Sequence, residues 1–216
     1  MSDKLNELLS KCTPENRHEE IDYGSPRKPT SVKVKRLHPD AVIPKKAHVH
    51  DAGFDLVAVE DTIIEPGETA LIKTGLAFEL SPGYEMQIRP RSGVTLKTKL
   101  RVQLGTVDSN YRGEVGVIVD NVSDKEVYIE DGVNEYGEMY VSNRYAHDRI
   151  LINIDGTKDI RIDEAYLRNT YIIRKGDRIA QAIIQRLPDA ELAEVEALGD
   201  SERGAAGYGS TGVKSE

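Results

Sequence analysis

Short runs in which apolar and polar residues alternate dominate the chain from residue 31 onwards, and they restrict its fold more than any other feature. In residues 114–120, for example, every second residue is a valine. Because successive side chains of a β-strand point to opposite faces, this period predicts strands with one buried face. Turns rich in glycine and proline separate the runs and few helical patterns occur, so we predict an all-β sandwich or barrel. The other runs that predict strands are Ser31–Lys35, Thr69–Phe78, Glu85–Arg89, Tyr171–Ile173 and Arg178–Ile184.

Length and composition exclude several classes of protein. The 216 residues suit one domain with additions. A net charge of −8 argues against broad binding to nucleic acids or membrane surfaces, but it leaves room for a small polyanion held by a local cluster of arginines or by a metal. The single cysteine, Cys12, excludes a disulfide framework and argues against a four-ligand zinc site. Without an apolar run of membrane-spanning length or a signal peptide, we expect a soluble cytoplasmic protein.

We predict three parts along the chain. Residues 1–30 form an N-terminal extension, most of which is a polar tether. Residues 31–190 form the β core, and residues 191–216 form a flexible C-terminal arm. The acidic stretch at residues 188–200 has the local propensity of a short helix, with an extended arm as the alternative.

Within the core, residues 128–169 are more charged than their surroundings and predict an insertion with a small β-structure of its own. Isoleucines alternate with other residues on either side of Asp155-Gly156. Asp-Gly between alternating apolar residues is a strong signal for a two-residue hairpin turn. We therefore predict a hairpin centred on this dipeptide.

Two clusters in the core combine residue types that suit phosphate chemistry. Around Asp55, the run DAGFDL predicts a tight turn that exposes one carboxylate. In RPRSG, Arg91, Ser92 and Gly93 supply a guanidinium, a hydroxyl and a backbone that an anion can approach closely. Taken alone, each cluster also suits an ordinary turn or solvated loop.

Three further clusters follow along the chain. In GTVDSNYRG, Asp108 lies in a bend between two strands and Tyr111 follows it, which would place a base and a planar wall in one pocket. In RKGDRIAQ, a Lys-Gly-Asp turn leads into a strand that carries Gln181. The run RGAAGYGSTG contains Arg203 and a Ser-Thr pair that suit phosphate, although glycine-rich ends are usually disordered. The plain alternatives for the first two are an Asp-stabilised hairpin turn and an ordinary strand.

In their order, the clusters resemble the five sequence motifs of the trimeric dUTPase family, here AGFDL, PRSG, GTVDSNYRGEVGV, RKGDRIAQ and RGAAGYGSTG. The resemblance covers residues 31–212 apart from the insertion, which is typical of some phage members. It implies a distorted, jelly-roll-like β-barrel that assembles as a homotrimer, with each active site built from three subunits. It also implies hydrolysis of dUTP to dUMP and pyrophosphate, which limits uracil in DNA and supplies dUMP for dTMP synthesis.

The resemblance assigns roles to the third motif. Asp108 matches the aspartate that orients and deprotonates the attacking water. Tyr111 matches the tyrosine that packs under the deoxyribose and leaves no room for a 2′-hydroxyl. Uracil is expected to be read by backbone groups of the preceding hairpin, at Val102, Gly105 and Val107.

The resemblance assigns the phosphates and the metal to the other motifs. Arg91, Ser92 and Gly93 match the contacts to the α- and β-phosphates, and Gln181 matches a glutamine near the phosphates and the catalytic water. Asp55 matches an aspartate that touches Mg²⁺, the expected cofactor, through water. The arm is expected to close over the nucleotide, with Tyr208 stacking on uracil where a phenylalanine is usual. The arm residues expected at the nucleotide are Arg203, Tyr208, Gly209, Ser210 and Thr211.

Two alternatives accompany this assignment. A dCTP deaminase, or a bifunctional deaminase–dUTPase, would need a catalytic glutamate near the third motif, and the position of Glu114 beyond the YRG turn argues against that use. The insertion at residues 128–169 either elaborates the trimer or binds a regulatory protein partner, as in some phage dUTPases.

Overall fold

The computed structural model describes residues 31–205, which fold almost entirely as β-strands. One short helix, α1 (Ser92–Lys97), interrupts them. The strands in chain order are β1 (Lys33–Arg36), β2 (Phe54–Val57), β3 (Thr62–Ile64), β4 (Thr69–Glu79), β5 (Tyr84–Pro90), β6 (Leu100–Val102), β7 (Gly105–Asp108), β8 (Glu114–Asn121), β9 (Val127–Val133), β10 (Met139–Tyr145), β11 (His147–Asp148), β12 (Ile150–Asn153), β13 (Lys158–Ile160), β14 (Tyr166–Leu167), β15 (Tyr171–Ile173) and β16 (Arg178–Arg186).

Three four-stranded sheets enclose the core. Their strand orders are β1-β4-β8-β6, β2-β16-β5-β7 and β13-β12-β15-β3. Adjacent strands run antiparallel except for β12 and β15, which pair in parallel. All three sheets contribute to one hydrophobic cluster, where each buried aliphatic side chain stabilises the fold by about 1.5–3 kcal/mol. The side chains at its centre include Leu56, Met86 and Ile88 from one sheet, Ile72, Leu76 and Val117 from a second, and Ile64 and Ile173 from the third.

The alternation in the sequence locates the long strands well. Strand β8 buries Val115, Val117 and Val119, the three valines on which its prediction rests. Strand β15 has the predicted bounds, Tyr171–Ile173. The prediction of a turn at Asp55 is wrong, since this residue lies within β2. Pairing with β16 holds the backbone of β2 extended.

The predicted insertion contains two hairpins. Strands β12 and β13 pair around Asp155-Gly156, as predicted, and Gly156 adopts a φ of 86° that favours glycine. Because β12 also pairs with β15, this hairpin extends a core sheet. Strands β9 and β10 form a separate two-stranded sheet with a turn at Gly137, where φ is 80°.

The described part of the C-terminal arm has no regular structure. Residues 188–205 contain neither helix nor strand, so the short helix that local propensity favoured in the acidic stretch is not formed, and the extended alternative describes this part of the arm. Leu192 and Leu198 are exposed there, at 102% and 88%. None of the helical structure in residues 31–205 has the length and apolar character needed to cross a membrane.

Candidate active site

A polar pocket of about 260 Å³ lies where β2, β16 and the start of α1 meet. Asp55 on β2 stands opposite Gln181 on β16 in the antiparallel register. Gly53 leaves room for the Gln181 side chain, because a Cβ at Gly53 would lie 3.1 Å from Cβ of Gln181. Arg91, just before α1, also lines the pocket. The fold therefore brings together three predicted site residues from distant parts of the sequence.

Asp55 is the electrostatic centre of this pocket. Its carboxylate is 15% exposed, with Oδ1 3.2 Å from Nε of Arg91 and Oδ2 3.2 Å from Nη1 of Arg178. Arg91 Nη1 donates a hydrogen bond of 2.8 Å to the carbonyl of Arg178. A second carboxylate in the lining, that of Asp51, accepts a hydrogen bond from the backbone N–H of His48. An anion entering the pocket would therefore meet two guanidinium groups, with the carboxylates of Asp51 and Asp55 beside them.

Arg178 is a member of this pocket that sequence reasoning missed. The strand pairing between β16 and β2 shifts register between Arg178 and Ala180. Such a bulge changes the direction of the side chain, and an alternating pattern cannot reveal it. The available signal was the position of Arg178 within the RKGDRIAQ motif itself.

The turn that precedes β16 is well ordered by hydrogen bonds. Gly176 adopts a φ of 94°, and the carboxylate of Asp177 accepts a hydrogen bond of 2.8 Å from the backbone N–H of Arg174. Burial raises the pKa of Asp177 above its usual value, and the hydrogen bond from Arg174 opposes this rise only in part. This turn thus fixes the start of the strand that carries Arg178 and Gln181.

Helix α1 presents Ser92 and Gly93 to solvent and anchors its other side in the core. Val94 is buried, while Ser92 and Gly93 are exposed. At the far end, the backbone N–H and the hydroxyl of Thr98 both donate to the carbonyl of Val94, at 3.1 and 2.7 Å. The backbone at Gly93 is open, since a Cβ there would meet no atom within 4 Å.

A second group of predicted residues lies on the turn between β7 and β8. Asp108 is exposed at the end of β7, and its carbonyl accepts a hydrogen bond of 3.1 Å from the backbone N–H of Tyr111. The Tyr111 hydroxyl donates to the carbonyl of Glu114 at 3.1 Å. The ring lies directly over Gly113, where a Cβ would be 2.3 Å from the hydroxyl oxygen. One turn therefore carries both an exposed carboxylate and an aromatic ring.

A cleft of about 600 Å³ runs along β7, the strand that leads to this turn. The hairpin predicted ahead of Asp108 is not formed, because β6 pairs with β8 whereas β7 pairs with β5 in another sheet. Gly105 and Thr106 of β7 line it opposite Gln87 and Arg89 of β5. Val102 and Val107 are half-buried and pack against the core, so the segment between them is held from behind. Its backbone is accordingly the surface available to a ligand.

The two groups of residues lie far apart within one chain. In the sheet, Gln181 pairs with Arg89, whereas Asp108 pairs with Glu85, which in turn pairs with Gln185. Gln181 and Asp108 are therefore four residues apart along the strands and two strands apart across the sheet. These separations correspond to about 13 Å and about 10 Å, which place the two residues about 16 Å apart. One chain therefore presents two half-sites.

Glu114, the residue that the deaminase alternative would require, has a structural contact. Strand β4 bulges opposite it, between Lys73 and Ala77. The carboxylate of Glu114 fills this bulge and accepts a hydrogen bond of 2.8 Å from the backbone N–H of Gly75. A carboxylate committed to the backbone of a bulge is poorly placed to act as a proton carrier.

Comparison with known proteins identifies the family of this chain. The sequence model of the dUTPase family matches residues 40–134 and 164–212. The deoxyuridine 5′-triphosphate nucleotidohydrolase of Nautilia profundicola is 40% identical over 183 residues, which are 84% of this chain and 98% of that protein.

The chain belongs to the dUTPase family.

Solved structures of phage members resemble the fold. The dUTPase of Staphylococcus bacteriophage 80alpha with dUPNHPP is 34% identical, with a TM-score of 0.73, and the match covers 85% of this chain and 99% of that one. It was described with phage dUTPases that control the transfer of virulence genes. A mutant dUTPase from phage phi11 of S. aureus, described with a structural Mg(II) ion, is 30% identical with a TM-score of 0.65, over 77% of this chain and 97% of that one.

The family match also bears on the insertion and the arm. The matched residues leave out 135–163, which lie within the predicted insertion. Arg203 is exposed in the described part of the arm. Four other arm residues predicted at the nucleotide lie outside the described residues, namely Tyr208, Gly209, Ser210 and Thr211.

Proposed function

We propose that this protein is a dUTP diphosphatase that converts dUTP and water into dUMP and pyrophosphate. Water attacks the α-phosphorus in line with the bond to the bridging oxygen, that bond breaks, and pyrophosphate leaves. The observation that carries the proposal is the pair of half-sites. One of them offers arginines and an amide to phosphates, and the other offers a backbone edge, a planar wall and a carboxylate to a deoxynucleoside.

Asp108 acts as the general base in this scheme. It is exposed at the end of β7, so its carboxylate is free to accept a proton from a water molecule. Tyr111 lies beside it as the wall for the deoxyribose, and a 2′-hydroxyl would clash with the ring. The backbone around Val102, Gly105 and Val107 recognises uracil, since its N–H and C=O groups can form hydrogen bonds with the edge of this base. Cytosine would leave some of these backbone groups unpaired.

Arg91, Ser92 and Gly93 bind the α- and β-phosphates, and Gln181 orients the water or a phosphate oxygen. Arg178 joins this set, because its guanidinium lines the same pocket and flanks Asp55. The positive charges of the arginines stabilise the negative charge that develops on the phosphate oxygens in the transition state.

Mg²⁺ is the metal that fits these residues. Residues 31–205 contain no group of three or more His, Cys, Asp or Glu side chains arranged to hold a metal ion. Mg²⁺ keeps several waters and is commonly bound through substrate phosphates with one or two carboxylates, so Asp55 would contact it through water. When bound, the metal neutralises and polarises the triphosphate.

About 16 Å of sheet separates Gln181 from Asp108 in one chain, so these two side chains cannot reach the same water molecule. We therefore propose a homotrimer in which Asp108 and Tyr111 of one subunit face Arg91 and Gln181 of a neighbour. The arm residues from Arg203 onwards close the site from a further subunit. This arrangement also agrees with the family to which the chain belongs.

The test is pyrophosphate release from dUTP, dCTP, dTTP and UTP, with and without Mg²⁺. We expect strong preference for dUTP and a loss of about 10²–10⁴-fold in kcat for Asp108→Asn, because the amide cannot take a proton. Asp124→Asn, an exposed aspartate between β8 and β9, is the matched control and should retain wild-type turnover. Near-normal turnover by Asp108→Asn would refute the base assignment, and ammonia release from dCTP would favour the deaminase.

A second function, binding of a regulatory protein through residues 128–169, is supported by one face of the β9–β10 hairpin. The paired strands place apolar side chains side by side on this face, and each is at least half exposed. Phage relatives are described as controlling the transfer of virulence genes. The apolar side chains of this face are Val127, Ile129, Val133, Met139, Val141 and Tyr145.

A double substitution, Ile129→Asp with Val141→Asp, tests this second function without removing core strands. We expect wild-type turnover and an unchanged oligomer, together with loss of any protein that the wild type retains in a pull-down. Equal retention by both forms would contradict a docking role for this face.

A further inference from the structure

The inserted β12–β13 hairpin touches the segment that carries the phosphate-binding residues. Its turn at Gly156 lies against the C-terminal end of α1, where a Cβ on Gly156 would be 3.3 Å from the carbonyl oxygen of Lys97. That distance is tighter than an ordinary van der Waals contact, and the partner is backbone. Any side chain at this position would push the end of the helix by a few tenths of an ångström.

The turn itself is stiff. Gly156 N–H donates to the carbonyl of Asn153 at 2.9 Å, and Asn153 N–H donates to the carbonyl of Thr157 at 2.8 Å. The carboxylate of Asp155 accepts from both the backbone N–H and the hydroxyl of Thr157, at 2.9 and 2.6 Å. These bonds from Thr157 hold the pKa of Asp155 below its usual value. A rigid turn in contact with a helix end fixes the position of that end.

A second contact fixes the chain just after the helix. The backbone N–H of Lys99 donates to the hydroxyl of Tyr171 at 3.0 Å, and Tyr171 is only 6% exposed. In the sheet, Tyr171 pairs with Ile152 of the inserted hairpin. The same hairpin therefore supports the chain directly at Lys97 and, through β15, at Lys99.

The helix is short enough to pass a displacement to its other end. Six residues span about 9 Å. The bonds from Thr98 to Val94 tie its last turn to its buried anchor, and Arg91, Ser92 and Gly93 lie at the opposite end.

We infer that Gly156 is a positioning residue for phosphate binding, and that the inserted β12–β13 hairpin braces the segment containing Arg91, Ser92 and Gly93. The inference rests on the proposed function of that segment. Gly156 touches no substrate and acts through Lys97. A glycine is required at this place both for the φ of 86° and for the close approach to the helix backbone.

Substitutions at Gly156 and Gly137 separate the effect of the contact with Lys97 from the effect of backbone strain. Both glycines lie in hairpin turns of the insertion with similar φ, 86° and 80°. A Cβ at Gly137 would meet no atom within 4 Å, whereas one at Gly156 would meet Lys97. Alanine and asparagine are introduced at each site, since asparagine tolerates a positive φ better than alanine. Steady-state kinetics with dUTP and Mg²⁺ are measured for all four variants, with circular dichroism and size-exclusion chromatography as checks on the fold.

We expect Gly156→Ala and Gly156→Asn to raise KM for dUTP about threefold, because a small misplacement of a binding group weakens its contacts. The inhibition constant of pyrophosphate should rise to the same extent, while that of deoxyuridine, which lacks phosphates, should stay unchanged. Both Gly137 variants should match the wild type in all three constants.

Unchanged KM in the Gly156 variants, or equal changes at Gly156 and Gly137, would overturn the inference. So would a parallel loss of pyrophosphate and deoxyuridine affinity, which would indicate general disruption. If Gly156→Ala fails to fold, Gly156→Asn carries the test. An inactive wild type would instead refute the proposed function, so the two failures are distinguishable.

Discussion

The two hairpins of the insertion differ in how they are held. The β12–β13 hairpin joins a core sheet through β15, and its Leu151 is fully buried. The β9–β10 hairpin pairs only within itself in the described chain and leaves Ile129 71% exposed. An isolated two-stranded sheet is marginally stable in water. One segment of sequence thus contains an element that supports the active site and another whose apolar face has no partner among residues 31–205.

Truncation of one apolar side chain in each hairpin should give the largest difference between the hairpins in the free energy of unfolding. Leu151→Ala should lower the free energy of unfolding by about 2–5 kcal/mol, since it removes a fully buried side chain and leaves a cavity. Ile129→Ala should change it by less than about 0.5 kcal/mol, because an exposed side chain contributes little. Urea denaturation at one protein concentration measures both. Equal losses would mean that the β9–β10 face is covered in the assembled protein.

Asn121, the last residue of β8, bonds to Asn169 at the end of the insertion, and this junction gives the next largest effect. Asn121 is 1% exposed, and its amide donates to the carbonyls of Ile64 and Asn169 at 3.0 and 2.9 Å. Asn121→Ala should lower the free energy of unfolding by about 1–3 kcal/mol, because buried carbonyls lose their donors. Limited proteolysis should then cut first within residues 127–145. Ser123→Ala is a mild control, since that side chain is not part of these bonds.

Acid should weaken the attachment of the β12–β13 hairpin by a smaller amount. Asp61 accepts from the backbone N–H of Lys175 and pairs with Arg174, which also contacts Asp159 of β13. These bonds hold the pKa of Asp61 below its usual value, so their stabilisation is present above about pH 4 and is lost as pH falls through the lowered pKa. Because the group is half exposed, the effect should be about 0.5 kcal/mol.

Unfolding measured from pH 6 to pH 2 tests this expectation. Asp61→Asn should show a weaker pH dependence than the wild type below pH 4. An identical slope in the two proteins would show that this carboxylate does not link the hairpin to the core.

The sequence predicted the fold where a strand is long and one of its faces is buried, as in β8. It also predicted the β12–β13 hairpin, since Asp-Gly specifies a local turn. It could not predict the parallel pairing of β12 with β15, because that contact joins segments with no shared local pattern. The same applies to α1, whose six residues are too few to show a helical period.

For the candidate site, motif order located Asp55, Arg91 and Gln181, which the fold does bring together. Motif order missed Arg178, because the bulge that directs its side chain into the pocket leaves no pattern in the sequence. It also could not give the distance between Asp108 and the pocket, because that distance depends on strand register. The contact between Gly156 and Lys97 is likewise a property of three-dimensional packing. The sequence shows which chemical groups are present at these positions, whereas the distances between the groups depend on how the sheets assemble.

The edges of the β9–β10 hairpin also affect how the protein behaves in concentrated solution. Open edges beside an apolar face invite pairing with other chains, and charged side chains oppose this. Acidic residues occupy β9, at Glu130 and Asp131, and the turn, at Glu135 and Glu138. The charge of Glu130 is offset by its ion pair with Arg144, so resistance to such pairing at neutral pH is expected to depend on Asp131, Glu135 and Glu138, three carboxylates far from the chemistry.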